Sequence, residues 1–162
     1  GGFSIAAALG GARRVVSVDR AAPAIETARR TFVENDIAPD AHEFLAADMF
    51  AYLAETTQRF ELVIVDPPSF AKAARDVPNA LAAYRELHRL ALNTVEKGGL
   101  LAAASCSSHV PETDFIATLV SAGERCRRRL RILEVFGQPA DHPTLPAFPE
   151  GRYLKFVLLA VD

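Results

Sequence analysis

Two motifs contain residue types that can do covalent chemistry, and each follows a short apolar run. The motif Asp66–Phe70 follows the segment 60–65, and the motif Ser105–Ser107, with Cys106 at its centre, follows the segment 100–104. Apolar runs of this length, bounded by turn residues, are typical of buried strands. Ligands bind beyond the carboxyl ends of strands in an open α/β sheet, so the aspartate and the thiol are predicted at one edge of a sheet. A carboxylate and a thiol that face a cofactor cleft indicate covalent chemistry on an electrophilic ring.

The segments that must position these motifs alternate between strand and helix patterns. Strands are predicted at 14–19, 42–47, 60–66, 100–104, 130–136 and 153–161. Helices are predicted at 4–9, 22–35, 49–56, 77–95 and 111–123, and Lys97-Gly98-Gly99 provides a stop signal for the fourth of them. The alternation predicts an α/β fold with a mostly parallel, doubly wound sheet that closes with a C-terminal antiparallel hairpin.

Composition indicates one globular domain over residues 1–162, with 50% hydrophobic and 23% charged residues. The net charge of −2 argues against a broad basic face that grips nucleic acid. The single basic run, 125–131, is either a solvated helix end or a local phosphate contact. No apolar stretch reaches the ~18 residues of a membrane span, no secretory signal is visible, and the two cysteines have no zinc spacing. We therefore expect a cytoplasmic protein without a metal site.

Two further carboxylates, Asp19 and Asp48, also follow predicted strands. In a nucleotide-binding fold, an acidic residue at the end of the second strand accepts hydrogen bonds from ribose hydroxyls. Asp19 fits that position because Gly1-Gly2 lies just upstream, where glycines would let the backbone approach a ligand. Asp48 could accept from an adenine amino group beside the Met49 amide. For both aspartates the alternative is a helix N-cap, and for the glycines it is a simple turn.

Each remaining candidate residue also has a structural alternative. Pro67 and Pro68 stiffen the rim beside Asp66, and Phe70 either stacks on a planar substrate or fills the core. Cys106 is either a nucleophile or a small buried apolar side chain, whereas Cys126 lies in the charged run and is interpreted as a bystander. His142 lies in the proline-rich segment 137–152, where a substrate contact and a structural role are equally compatible with the sequence.

Together these residues resemble the class I S-adenosylmethionine-dependent methyltransferases. Within that class the chain is similar to the ribosomal large-subunit methyltransferase I family, which makes 5-methylcytosine in rRNA. The resemblance covers almost the whole chain. It rests on these motifs: Gly1-Gly2-Phe3, 16–19, 48–50, 66–70, Gly98-Gly99, 105–107, 140–143 and 149–155.

The resemblance implies a role for each matching residue. Gly1, Gly2 and Phe3 would lie beside the methionine part of S-adenosylmethionine, Asp19 would hold its ribose, and Asp48 and Met49 its adenine. Asp66 would face both the methyl donor and the target base, and Cys106 would be the nucleophile. Apart from the resemblance, we expect Pro67, Pro68, Phe70 and His142 to contact the substrate. The family also has a strand before Gly1 and N-terminal RNA-binding domains, so we expect this chain to be a catalytic-domain fragment whose RNA affinity resides mainly elsewhere. The sequence is also compatible with a homodimer.

The expected reaction is methyl transfer to C5 of a cytosine in 23S rRNA, through a covalent adduct with Cys106. Three alternatives remain. The Asp66–Phe70 motif also resembles the rim of enzymes that methylate a base amino group or a guanine nitrogen without a covalent intermediate. A catalytically silent RNA-binding or scaffold protein would keep the fold without cofactor affinity. A nicotinamide dehydrogenase is disfavoured because no complete G-x-G-x-x-G motif is visible.

Overall fold

The computed structural model describes residues 1–162 except for the side chain of Pro149. The chain divides into two compact units, an N-terminal unit of residues 1–56 and a C-terminal unit of residues 57–162. Short 3-10 turns lie at Pro39–Ala41, Ala74–Asp76 and Pro149–Gly151. Across the described part of the chain, no helix has both the length and the apolar character that a membrane span requires.

The N-terminal unit contains two parallel strands and three helices. They are α1 (Gly2–Leu9), β1 (Val16–Asp19), α2 (Ala22–Glu34), β2 (Glu43–Ala46) and α3 (Met49–Glu55). Asp19 pairs with Ala46 in the register of β1 and β2, so both strands end at the same edge of this small sheet.

A buried phenylalanine anchors α2 on these two strands. Phe32 is fully buried, and its ring meets those of His42 and Phe44 edge-on at centroid distances of 4.8 and 5.0 Å. Ala28, one helical turn earlier, is also buried, and a Cβ atom on Gly1 would lie 2.8 Å from its Cβ atom. The start of α1 therefore approaches α2 so closely that only glycine fits at position 1.

The C-terminal unit carries a four-stranded mixed sheet. Its elements are β3 (Phe60–Val65), α4 (Val77–Thr94), β4 (Val95–Ser105), α5 (Glu112–Cys126), β5 (Leu130–Phe136) and β6 (Lys155–Val161). The strand order is β3-β4-β6-β5; β3 and β4 are parallel, and β6 is antiparallel to both of its neighbours. The predicted α/β class with antiparallel C-terminal strands is confirmed, and β6 lies between β4 and β5.

The prediction that Lys97-Gly98-Gly99 ends the fourth helix is wrong. Helix α4 ends at Thr94, and β4 begins directly at Val95, so the glycines lie inside the strand. Pairing with β3 shifts there, and Gly98 adopts a positive φ of 79°. A Cβ atom on Gly99 would lie 2.9 Å from the Glu61 carbonyl oxygen. These glycines therefore form an irregularity in the sheet where the two backbones come close.

One arginine of the basic run 125–131 binds backbone carbonyls near the end of α4. The Arg128 guanidinium donates to four backbone carbonyls at 3.0–3.2 Å, those of Leu92, Val95, Glu96 and Asp162. These acceptors include carbonyls that the last turn of a helix leaves without an intrahelical donor. For Arg128 the structural interpretation is therefore the better one.

A buried histidine lies between α4 and α5. His88 is fully buried beside the rings of Tyr84 and Phe115, at centroid distances of 5.9 and 5.2 Å. Its Nδ1 atom lies 3.0 Å from Thr118 Oγ1, and that hydroxyl donates to the Phe115 carbonyl. The hydroxyl must therefore accept from Nδ1–H, which leaves Nε2 as an unprotonated acceptor without a partner among the described residues. Burial lowers the pKa of His88 from 6.5 to about 3.

We expect acid to destabilise the fold through His88. Protonation favours the unfolded state because the folded pKa of His88 lies below the unfolded value, so stability is lost as pH falls from about 6.5 toward about 3. Between about pH 7.5 and pH 5.0 this residue should remove about 2 kcal/mol of unfolding free energy. Urea denaturation at both pH values should show a flatter pH dependence for His88→Gln than for the wild-type protein. Equal pH dependence in the two proteins would contradict the assignment.

Candidate active site

The two chemical motifs of the C-terminal unit follow adjacent, parallel strands. Val65 pairs with Ala103 in the register of β3 and β4, so Asp66 follows the end of one strand and Cys106 follows the end of the other. The prediction that the carboxylate and the thiol share one edge of a sheet is therefore confirmed within this unit. That edge is where α/β folds bind their ligands.

A cluster of hydroxyl groups, formed by Ser69, Tyr84, Ser105 and Ser107, links the two motifs. Tyr84 Oη lies 2.9 Å from Ser105 Oγ and 3.0 Å from Ser107 Oγ, and Ser107 Oγ lies 3.1 Å from Ser69 Oγ. The Ser107 amide also donates to Ser105 Oγ at 3.2 Å. Ser69 belongs to the loop that carries Asp66, so the hydroxyl cluster ties that loop to the turn around Cys106.

The loop after β3 has one inward and one outward proline. Pro67 is buried and Pro68 is exposed. Phe70 is half-buried, and its ring lies 4.8 Å from that of Tyr84 at an angle of 53°. Phe70 thus has a packing contact, and its proposed stacking on a substrate stays a prediction.

Asp66 faces solvent, but the surrounding protein raises the pKa of its carboxyl by desolvation. No hydrogen bond or ion pair from another described residue offsets that effect. The protonated form of this carboxyl is therefore easier to reach than that of an ordinary surface aspartate, and a protonated carboxyl can donate a hydrogen bond.

The two cysteines occupy different surroundings. Both are free thiols and both are half-buried. Cys126 donates to the Arg89 carbonyl with an S···O distance of 3.4 Å, and burial raises the pKa of its thiol. Cys106 instead lies in the turn after β4, between two serines of the hydroxyl cluster. The position of Cys106 fits a reactive group, and that of Cys126 fits the bystander interpretation.

In the N-terminal unit, Asp19 ends one strand and Asp48 follows the other, and each uses one carboxylate oxygen to stabilise the backbone turn that comes directly after it. Asp19 Oδ1 accepts from the Ala21 amide at 2.7 Å, and Asp48 Oδ1 caps α3 by accepting from the Phe50 and Ala51 amides at 3.0 and 3.1 Å. Both side chains are exposed. Neither Oδ2 atom has a hydrogen-bond partner among the described residues. The structural alternative therefore accounts for one oxygen of each carboxylate and leaves the other available.

The remaining candidates of this unit differ in exposure. Gly2 has open space where a side chain would project, and Phe3 is 45% exposed at the start of α1. Met49 is half-buried at the first position of α3, where the amide has no intrahelical acceptor. Gly1 is needed for contact with Ala28, so its presence has a packing reason whether or not a ligand lies nearby.

His142 is an exposed side chain in the segment that connects β5 to β6. Its Nδ1 atom lies 3.1 Å from Asp141 Oδ1, and this hydrogen bond lowers the pKa of the Asp141 carboxyl. The contact orients the imidazole, and a contact with substrate stays a prediction.

Two residues beside the motifs were missed by the sequence analysis. Tyr84 lies on the apolar face of α4, where an aromatic residue looks like ordinary core. Lys155 is buried at the start of β6, at the end of the motif 149–155. A lysine at an inward position of an alternating apolar strand was the available signal.

The comparison with protein families decides what kind of protein this is. Residues 1–156 match the family described as S-adenosylmethionine-dependent methyltransferase. The chain belongs to this family. Its cofactor is therefore S-adenosylmethionine, and the resemblance noted in the sequence is confirmed at this level.

Among curated proteins, the chain is similar to ribosomal RNA large subunit methyltransferase I of Photobacterium profundum. The two are 39% identical over 158 residues, which cover 96% of this chain and 40% of that protein. The chain thus spans about 40% of the length of the curated relatives it matches.

Among solved structures, the fold is similar to that of a protein from Streptococcus mutans described as a SAM-dependent methyltransferase. The TM-score is 0.83 at 24% identity, over 98% of this chain and 41% of that one. SMU.776, described as a methyltransferase and solved in complex with SAH, gives a TM-score of 0.82 at 23% identity, over 98% of this chain and 42% of that one. The chain therefore has the Rossmann-like fold of class I methyltransferases.

The hydroxyl cluster should stabilise the C-terminal unit measurably. Tyr84→Phe removes the hydroxyl that bridges Ser105 and Ser107 and leaves buried oxygens with fewer partners, so the free energy of unfolding should fall by about 1–3 kcal/mol. Denaturant titration followed by circular dichroism measures this change. Tyr153→Phe, which removes the hydroxyl of a tyrosine that is 37% exposed, is the control and should change stability by less than about 0.5 kcal/mol. Equal effects of the two substitutions would refute this role of the cluster.

Proposed function

We propose that residues 1–162 form the methyltransferase domain of an enzyme that methylates C5 of a cytosine in large-subunit rRNA through a covalent adduct with Cys106. The observation that carries the proposal is the position of Cys106 and Asp66 after two paired parallel strands, where the hydroxyl cluster links the Asp66 loop to the turn around Cys106. The family supplies the methyl donor, and the similarity to large-subunit methyltransferase I supports rRNA as the substrate.

The donor set of the N-terminal unit fits S-adenosylmethionine. The free Oδ2 atom of Asp19 can accept from a ribose hydroxyl while Oδ1 keeps the turn in place. Asp48 and the Met49 amide offer an acceptor and a donor for the adenine edge. The open space at Gly2 and the exposed Phe3 leave the first amides of α1 accessible to the carboxylate of the methionine part.

Cys106 is the proposed nucleophile because C5 of cytosine is by itself a poor one. Its thiolate adds to C6, a carbon–sulfur bond forms, and the electron pair of the C5–C6 double bond becomes available at C5. When bound, S-adenosylmethionine supplies the electrophilic methyl group that this carbon takes up. A base then removes the C5 proton, the double bond re-forms, and the carbon–sulfur bond breaks to return the Cys106 thiolate.

Asp66 is proposed to contact the N3 edge of the same ring. Attack at C6 moves electron density toward N3, which a carboxyl proton can stabilise by hydrogen bonding. The raised pKa of Asp66 favours the protonated form that this contact needs. Pro67 and Pro68 remove two amide donors and restrict the loop, so that the carboxyl keeps its direction.

The RNA must present its target base unstacked, because a base inside a helix cannot reach a thiolate in a pocket. The net charge of −2 gives these residues little attraction for phosphates. The chain matches only 40% of the length of its curated relative. We therefore propose that most of the RNA affinity of the full-length protein comes from regions outside residues 1–162.

Cys106→Ser in the full-length protein should lower methyl transfer to large-subunit rRNA by roughly three orders of magnitude or more, because a hydroxyl is a far weaker nucleophile at neutral pH. The dissociation constant for S-adenosylmethionine should stay within about twofold of the wild-type value. Transfer of a labelled methyl group and isothermal titration calorimetry measure the two quantities.

Cys126→Ser is the matched control for this experiment and should retain turnover, because the hydrogen bond of Cys126 goes to the Arg89 carbonyl and not to either chemical motif. Wild-type turnover by Cys106→Ser would overturn the covalent mechanism. That result would favour methylation of a base amino group or guanine nitrogen, which needs no adduct.

Asp19→Asn tests the cofactor assignment without breaking the turn, because the amide oxygen can still accept from Ala21. Replacing the second oxygen by an amino group removes the acceptor for the ribose, and affinity for S-adenosylmethionine should fall about tenfold or more by calorimetry. Asp40→Asn, at an exposed carboxylate that pairs with Arg29, should leave affinity unchanged. Unaltered affinity in Asp19→Asn would remove Asp19 from the cofactor site.

A further inference from the structure

Lys155 occupies an unusual place for a charged residue. It is the first residue of β6, where inward and outward positions alternate, and it takes an inward one with only 6% of its surface exposed. Burying an ammonium group is costly unless it has partners. What Lys155 contacts therefore indicates why it is there.

The ammonium group of Lys155 is held by backbone carbonyls and not by a carboxylate. Its Nζ atom donates to the Ser107 carbonyl at 2.7 Å and to the Val110 carbonyl at 2.8 Å. None of the ion pairs among the described residues includes it. Its positive charge is thus solvated by dipoles but is not neutralised by a direct salt bridge.

These contacts bracket Cys106. The backbone of Lys155 pairs with Ser105, the residue before the cysteine, and its ammonium group binds the carbonyl of Ser107, the residue after it. The charge therefore lies along the turn that presents the thiol. Burial lowers the pKa of Lys155, and the nearby Cys106 and Glu112 side chains oppose that shift.

We propose that Lys155 is a positioning residue for Cys106, whose buried ammonium group fixes the turn 105–107 and stabilises the thiolate form of the cysteine. The inference rests on the proposed function, in which that thiolate attacks the base. A positive charge near a cysteine is a common way to increase the thiolate fraction, and here two carbonyls and the β4–β6 pairing hold the charge at the turn that contains the cysteine.

The test compares variants that separate charge from hydrogen bonding in the full-length protein. Lys155→Gln keeps a donor for the carbonyls and removes the charge, whereas Lys155→Arg keeps the charge. The readout is the rate of alkylation by iodoacetamide at one fixed neutral pH, measured by mass spectrometry separately for the peptides that contain Cys106 and Cys126.

In Lys155→Gln, alkylation of Cys106 should slow by about tenfold or more, because only the thiolate reacts. Cys126 in the same molecule should react within about twofold of its wild-type rate, which shows that the unit is still folded. Lys155→Arg should restore most of the Cys106 rate. Lys97→Met, at an exposed lysine of the same unit, should leave both rates unchanged.

Two outcomes would overturn the inference. One is an unchanged Cys106 rate in Lys155→Gln with Cys126 also unchanged, and the other is faster alkylation of both cysteines, which would make Lys155 a purely structural residue. The assay contains neither RNA nor methyl donor, so its result is independent of the turnover test on Cys106→Ser. With the proposed function upheld, Lys155→Gln should also lower kcat while leaving KM for S-adenosylmethionine within about twofold.

Discussion

The parallel pairing of β3 with β4 is the constraint on which the proposed chemistry depends. A shift of one residue in that register would move Asp66 relative to Cys106 by a full side-chain position and reverse which strand residues face the core. The register is fixed by buried apolar residues along both strands and by the bulge at Gly98-Gly99. Beyond the strand ends, hydrogen bonds between side chains hold the two motifs in place, and Tyr84 and Ser107 lie at the centre of these bonds.

The polar groups around this edge divide into neutral and charged ones. The hydroxyl cluster joins the loop of Asp66 to the turn of Cys106 without introducing charge, so its members satisfy one another inside the core. Lys155 adds the one buried cation among the described residues at this turn. Asp19 and Asp48 each combine a structural role with a free acceptor. One carboxylate oxygen of each stabilises a turn, and the other stays open to a ligand.

Much of this organisation could be predicted from the sequence, for identifiable reasons. Short apolar runs that end in carboxylates predicted β1, β2 and β3, and helix-forming stretches predicted α2 and α4 within a few residues. The glycines at 98 and 99 were wrongly predicted to end a helix because glycine is common both after helix ends and in strand bulges. Tyr84 and Lys155 could not be assigned, since their importance comes from partners 21 to 48 residues away along the chain.

The most direct test of the central claim is a covalent trap. The full-length protein would be incubated with S-adenosylmethionine and large-subunit rRNA that contains 5-fluorocytosine, in which fluorine replaces the proton that must leave C5, so the carbon–sulfur bond cannot break. We expect a protein–RNA adduct that survives denaturation, maps to Cys106 and is absent in Cys106→Ala. Methyl transfer to the unmodified RNA together with no adduct on the fluorinated RNA would contradict the account and leave Cys106 as a packing residue.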